Sequence, residues 1–133
     1  MIEDILQCLQ LRYDTQFRLP PNLLERYDFC VDKTIIEYDG DIHFIEFPHF
    51  HREGRRSFAS RRERDVSKTL RALQAGYKVV RIDYTWFGKI EQCKKFIEDA
   101  LKNTTDRLIV STPALYKWIL DGVSQHKFFT QKL

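Results

Sequence analysis

Asp28, Glu37, Asp39 and His43 fall within one short stretch of the 133-residue chain, and together they carry the chemistry most open to reading from sequence. Residues 37 and 39 are two apart, so on a strand their side chains share a face. Asp28 lies on the preceding strand-like run and is expected opposite them if the two runs pair as a hairpin. His43 follows Asp39 beyond Gly40, a residue that lets the chain turn. Three carboxylates meeting an imidazole would make an oxygen-rich pocket for a hard divalent cation such as Mg²⁺ or Mn²⁺. Such an ion binds a phosphate oxygen, activates water and steadies a leaving oxygen in phosphodiester hydrolysis. The competing reading is a turn: Asp and Gly at a strand end are ordinary turn residues, and Asp39-Gly40 is a turn signal on its own.

A basic stretch follows at once. From His51 to Arg71 it holds eight cations, Arg52, Arg55, Arg56, Arg61, Arg62, Arg64, Lys68 and Arg71, against Glu53, Glu63 and Asp65, a net of +5. The whole chain carries only +3, so the rest nets −2. Guanidinium groups match phosphate by bidentate geometry, and phosphate contacts dominate nucleic-acid affinity. Arg52, Arg55, Arg56, Arg61, Arg62 and Arg64 are therefore the expected DNA contacts, with Phe50 and Phe58 available to stack on bases. A solvated, salt-bridged helix face is the rival explanation. Asp65 and Lys68 are three apart on one helix face. Lys68 is read as a charge stabiliser for the pocket and Asp65 as a group orienting His43 or a metal-bound water, with a plain ion pair between the two as the alternative. Glu3, in the first turn of an N-terminal helix, suits the helix dipole. His49 and His51 flank Phe50, and Trp86 and Phe87 are expected in core or rim packing.

The elements that must position these residues follow from periodicity and punctuation. Ile2, Ile5, Leu6 and Leu9 form one face of a helix within residues 2–11. Pro20-Pro21 breaks regular structure. Arg26–Val31 and Thr34–Tyr38 read as strands joined by a tight turn at Asp32-Lys33, and Ile42–Phe47 as a further extension of the sheet. Residues 48–60 lack an apolar period and read as a loop. A helix begins near Ser60, carrying Val66, Leu70, Ala72 and Leu73, and Gly76 is placed to end it. Tyr77–Tyr84 is a strand, Ile90–Leu101 a helix and Leu108–Val110 a strand, and Thr112-Pro113 opens a last helix through Leu120. The expected fold is a single α/β domain over residues 1–133, with a central mixed β-sheet flanked by helices. With 43% hydrophobic and 14% aromatic residues the chain is neither a disordered tail nor a membrane span. Cys8, Cys30 and Cys93 are odd in number and widely spaced, which argues against a disulfide framework or zinc knuckle. Without a signal-peptide pattern, the expected location is intracellular, cytoplasmic or nuclear, and not secreted.

The order of these motifs resembles a known family. Tyr27-Asp28-Phe29, then Ile36 to His43 with its E-x-D-G-x-x-H spacing, then Arg64-Asp65, then Leu73 to Ile82 resemble the PD-(D/E)XK nuclease superfamily. The resemblance is to its branch near the very-short-patch mismatch repair endonucleases and the EDxHD homing endonucleases, and it covers roughly residues 26–84. It implies a restriction-endonuclease-like core and an Mg²⁺-dependent endodeoxyribonuclease. Asp28 then matches the first metal-binding aspartate, Glu37 the acidic residue of the next strand, and Asp39 stands where the superfamily lysine is found. His43 corresponds to a general acid or base, Asp65 to the aspartate opening the next helix, and Glu3 to an N-terminal helix glutamate. Asp28, Glu37 and Asp39 are thus the expected metal ligands, DNA the expected partner, and a homodimer the assembly that would let so short a nuclease cut two strands. The chain departs from the pattern in that this lysine is either absent or replaced by Lys68, and the zinc ligands of the repair enzymes and a separate recognition domain have no evident equivalent. A non-catalytic nucleic-acid-binding module retaining the nuclease fold is the alternative function.

Overall fold

The computed structural model describes residues 1–21, 23–47 and 55–126, with the side chains of 55–57 excluded. The chain order is α1 (Ile2–Cys8), β1 (Asp14–Phe17), β2 (Tyr27–Val31), β3 (Thr34–Asp39), α2 (Arg55–Gln74), β4 (Lys78–Asp83), α3 (Ile90–Lys102), β5 (Leu108–Val110) and α4 (Lys117–Ser124). Short 3₁₀ turns cover Asp41–His43 and Tyr84–Trp86. The five strands form one sheet in the order β1-β2-β3-β4-β5. β2 runs antiparallel to both β1 and β3, while β4 lies parallel to both β3 and β5. A mixed sheet flanked by helices is the architecture expected from sequence. No helix among the described residues is long and apolar enough to cross a membrane.

Strand alternation splits the core in two. Ile36, Val80 and Ile82 pack with Ile2, Ile5 and Leu6 of α1 and Cys93 and Ile97 of α3. Ile35 and Val79 pack on the opposite face with Ala72 and Leu73 of α2 and Val123 of α4. Glu37 and Asp39 share the Ile35 parity and so face α2, in line with the hydrogen bonds described below. The hairpin turn has Asp32 at φ 51°, a left-handed conformation that aspartate tolerates. Gly76, at φ 94°, follows the end of α2 as expected.

The main departures from the sequence expectation have physical reasons. β1 was not anticipated: it is an edge strand with three of its four residues exposed, so it carries no apolar alternation. α2 starts at Arg55, inside the segment read as a loop, because its opening residues Arg55-Arg56-Ser57 are polar and give no apolar period to read. Ile42–Phe47 does not extend the sheet; the Asp39-Gly40-Asp41 turn leads into a 3₁₀ turn, with His43 N–H donating to the Gly40 carbonyl at 3.2 Å. The last helix begins at Lys117 and not at Pro113, since residues 112–116 form two successive tight turns.

Candidate active site

Asp28 and Glu37 meet where β2 and β3 draw apart. The register pairs Phe29 with Ile36, which would set residues 28 and 37 opposite each other. Side chains replace the ladder at that point. The Asp28 backbone N–H donates to Glu37 Oε1 at 2.7 Å, and the Tyr38 N–H donates to Asp28 Oδ2 at 2.9 Å. Each carboxylate is thereby fixed by the neighbouring strand. Asp28 is half-buried and lines an open cavity of about 590 Å³ with Glu3, Phe29, Tyr38 and Phe87. Glu3 is exposed, and its Oε2 accepts from the Tyr13 hydroxyl at 2.9 Å.

Lys68 and Asp65 of α2 serve different partners. Lys68 Nζ stands 3.5 Å from Glu37 Oε2, donates to the Arg26 carbonyl and lies 4.6 Å over the Tyr27 ring. Asp65 turns instead to His43, its Oδ2 lying 2.7 Å from Nδ1. The structure thus brings Asp65 against His43, one of the two partners expected from sequence, and its shortest side-chain contact is not the alternative ion pair with Lys68. Glu37 is 6% exposed. Burial is the largest influence on it and pushes its carboxyl up, Arg81 and Lys68 pull it down, and nearby Asp28 adds to the rise, leaving it at about 7.

Asp39 has a different fate. Arg81 of β4 grips it by two bonds, Nε to Oδ2 at 2.9 Å and a terminal nitrogen to Oδ1 at 2.7 Å, and the Tyr116 hydroxyl donates to Oδ2 at 2.8 Å. His43 Nδ1 is 3.9 Å from Oδ1. Burial alone would raise the Asp39 carboxyl, yet Arg81, His43 and Tyr116 outweigh it and hold it below the usual range. The same burial would lower Arg81, but Asp39, then Glu37 and Asp65, hold the guanidinium well above its ordinary value. Arg81 also donates to Thr69 Oγ1 at 3.0 Å and lies 3.6 Å from Asp65 Oδ1. The three carboxylates expected to converge on one cation therefore divide: Asp28 and Glu37 adjoin, while the two oxygens of Asp39 are engaged by Arg81 and Tyr116. Among the described residues no group of three or more His, Cys, Asp and Glu is arranged to hold a metal ion.

The basic helix is only partly a free surface. Arg64 is exposed, and Arg61 and Arg62 are half-buried. The Arg62 guanidinium stacks between Phe58, at 4.5 Å, and Trp118, at 4.9 Å, so packing holds it as well as charge. Arg52, His49, Phe50 and His51 lie outside the described residues, as do the side chains of Arg55 and Arg56. Trp86 packs on Phe96 and donates to Thr112 Oγ1, whereas Phe87 is 70% exposed at the cavity rim.

Arg81, Thr69 and Tyr116 were missed from sequence. Arg81 left a signal: a lone cation inside the apolar run Val79–Ile82 must find a partner if that strand is central. Thr69 and Tyr116 left none, since both occupy helical or turn positions where any residue of their type would pass. Comparison of the chain with family models, curated proteins and solved structures yields no match.

Proposed function

We propose that the protein is a metal-dependent DNA endonuclease that hydrolyses phosphodiester bonds on a restriction-endonuclease-like core. The observation that carries this reading is the Asp28–Glu37 pair, two carboxylates each held by a backbone N–H of the neighbouring strand, with Lys68 beside Glu37. The donor set fits Mg²⁺ or Mn²⁺, because Mg²⁺ commonly takes one or two carboxylates and completes its shell with water and substrate phosphate. Buried Glu37 has too little positive charge around it for its carboxylate form, which is the shortfall a divalent cation would fill. Asp28 and Glu37 would hold the ion, and Asp39, engaged by Arg81, would not. A bound ion would supply charge neutralisation at the phosphate and a more acidic water.

The chain's own groups account for the remaining chemistry. His43, held by Asp65, takes or gives the proton. Lys68 offsets negative charge next to Glu37, and Glu3 adds a carboxylate to the cavity that Asp28 lines. Arg61, Arg62 and Arg64, with Arg52, Arg55 and Arg56, grip the phosphate backbone. Cutting two strands would call for a homodimer, and an intracellular location accords with the DNA substrate. One observation favours the non-catalytic alternative: the position where the superfamily has lysine holds Asp39, sealed against Arg81.

Incubation with supercoiled plasmid and Mg²⁺ or Mn²⁺ separates the two. The nuclease reading expects nicked or linear product, reduced roughly 100-fold or more in Asp28→Ala. Salt-sensitive DNA binding without any metal-dependent product supports the binding module, and cleavage unchanged in Asp28→Ala rules out the assigned site.

A further inference from the structure

We propose that Arg81, Asp39, Thr69 and Tyr116 form a buried positioning frame that fixes Asp65, and through it the tautomer and orientation of His43. This rests on the nuclease reading only in giving His43 a proton to move; the frame itself is geometric. Arg81 is the hub. It is 1% exposed and joins three elements: two bonds to Asp39 of β3, one to Thr69 of α2, and a 3.6 Å approach to Asp65 Oδ1. Tyr116, fully buried just ahead of α4, closes the Asp39 side. Thr69 closes the Asp65 side twice over, since its hydroxyl accepts from Arg81 and donates to the Asp65 backbone carbonyl at 2.8 Å.

The consequence falls on Asp65. One of its oxygens faces Arg81 and the other faces His43 Nδ1 at 2.7 Å, so the carboxylate has little freedom to rotate. A carboxylate accepts and does not donate, so the neutral imidazole must carry its proton on Nδ1. Nε2 is then the basic nitrogen, and the ring edge bearing it is the one turned away from the frame. Metal-free hydrolases and metal sites alike use such outer partners to set an imidazole's tautomer. Here the partner is itself held by a cation that the sheet buries. Asp39 is thereby explained as a counter-charge: Arg81 beside Asp65 alone would be a buried guanidinium short of acceptors, and Asp39 supplies two.

The test reads the tautomer directly, by ¹⁵N-resolved NMR of His43 in the metal-free chain at a pH where the ring is neutral. Wild type is expected to show the Nδ1–H form predominating. Thr69→Val, which keeps the shape and removes the hydroxyl, is expected to lower the Nδ1–H to Nε2–H ratio at least ~3-fold, and Thr69→Ser to restore it. Tyr116→Phe removes one hydroxyl from a packed ring and is expected to act in the same direction through Asp39. Arg81→Lys, if folded, should give the largest change, and on plasmid cleavage a loss of roughly 10-fold or more in kcat with little change in KM. A wild-type ring in the Nε2–H form, or a ratio unmoved in folded Thr69→Val and Tyr116→Phe, overturns the frame. Because the NMR reading needs no cleavage, an inactive wild type would remove the proposed nuclease function and leave this test intact.

Discussion

Glu37 and Asp39 stand two residues apart on one strand, face the same helix and are almost equally buried, at 6% and 1% exposure. Their carboxyls nevertheless move in opposite directions, Glu37 up to about 7 and Asp39 below the ordinary range. Burial acts on both in the same sense, so the difference lies in their partners. Asp39 receives two bonds from Arg81 and one from Tyr116. Glu37 receives a single backbone N–H, with Lys68 at 3.5 Å. A carboxylate whose acceptor sites are filled is an architectural element, whereas one left short of positive charge is disposed to take up a proton or a cation. Two positions on one face of one strand thus divide into a closed site and an open one.

The largest expected effect tests the closed side. Asp39→Ala leaves Arg81 buried without its main counter-charge, and breaking a buried pair in this way costs ~3–5 kcal/mol. Urea denaturation should show the loss, and a change below ~1 kcal/mol would mean that the Asp39–Arg81 pair is not the anchor described. The pH dependence is equally specific. A carboxyl depressed in the folded state adds stability that is present above its unfolded pKa and vanishes as pH falls through the folded one, so the Asp39 contribution should disappear only in acid, below about 3.8.

Glu37 should show the reverse linkage. Its folded carboxyl keeps a proton up to about 7, against 4.5 for the ordinary group. Between those values the folded chain binds the extra proton, so stability falls as pH rises, by up to ~3 kcal/mol in total. Glu37→Gln has no such slope and should be the more stable protein above about pH 7, with the gap closing towards about pH 5. Parallel unfolding curves for the two proteins across that window would show that Glu37 is already compensated, and the contrast with Asp39 would dissolve.

A cation should act on the open side alone. With Mn²⁺ at about 100 times its Kd, binding to the folded chain would add ~2.7 kcal/mol, visible as a raised Tm. Asp28→Ala and Glu37→Gln should abolish the increase, while Tyr116→Phe, which touches only the closed side, should keep it. An increase that survives in both carboxylate variants would place the cation elsewhere.

How much of this was legible from sequence depends on the range of the interaction. The hairpin was readable because Asp32-Lys33 and Asp39-Gly40 encode their turns locally, and Gly76 marked the end of α2 for the same reason. Asp28 and Glu37 could be paired on paper because a hairpin fixes its own register. The Asp39–Arg81 bond spans 42 residues and depends on the parallel register of β3 with β4, which the intervening crossover helix sets and no local pattern reports. Asp39 therefore read as a metal ligand, since its spacing from Glu37 was visible and its partner was not. The edge strand β1 was hidden for a related reason: its pairing with β2 leaves no trace in its own polar residues.

The smallest expected effect separates the two sites most finely. Lys68 is one of two cations that lower Glu37, the other being Arg81, whose bonds are committed to Asp39 and Thr69. Lys68→Met should therefore raise the Glu37 carboxyl further above about 7 and steepen the fall in stability with pH. The stability lost at neutral pH should be only ~1 kcal/mol, mainly the bond to the Arg26 carbonyl, because an ion pair at a partly exposed nitrogen adds little. Asp39 should not respond, since Lys68 makes no contact with it among those described. Carboxyl ¹³C titration of the two residues in wild type and Lys68→Met checks both halves at once. A Glu37 midpoint that stays put would show Lys68 to be a cap on β2 and nothing more. A midpoint that moves for Asp39 as well would mean the two sites share one field, and that strand position alone does not divide the open carboxylate from the closed one.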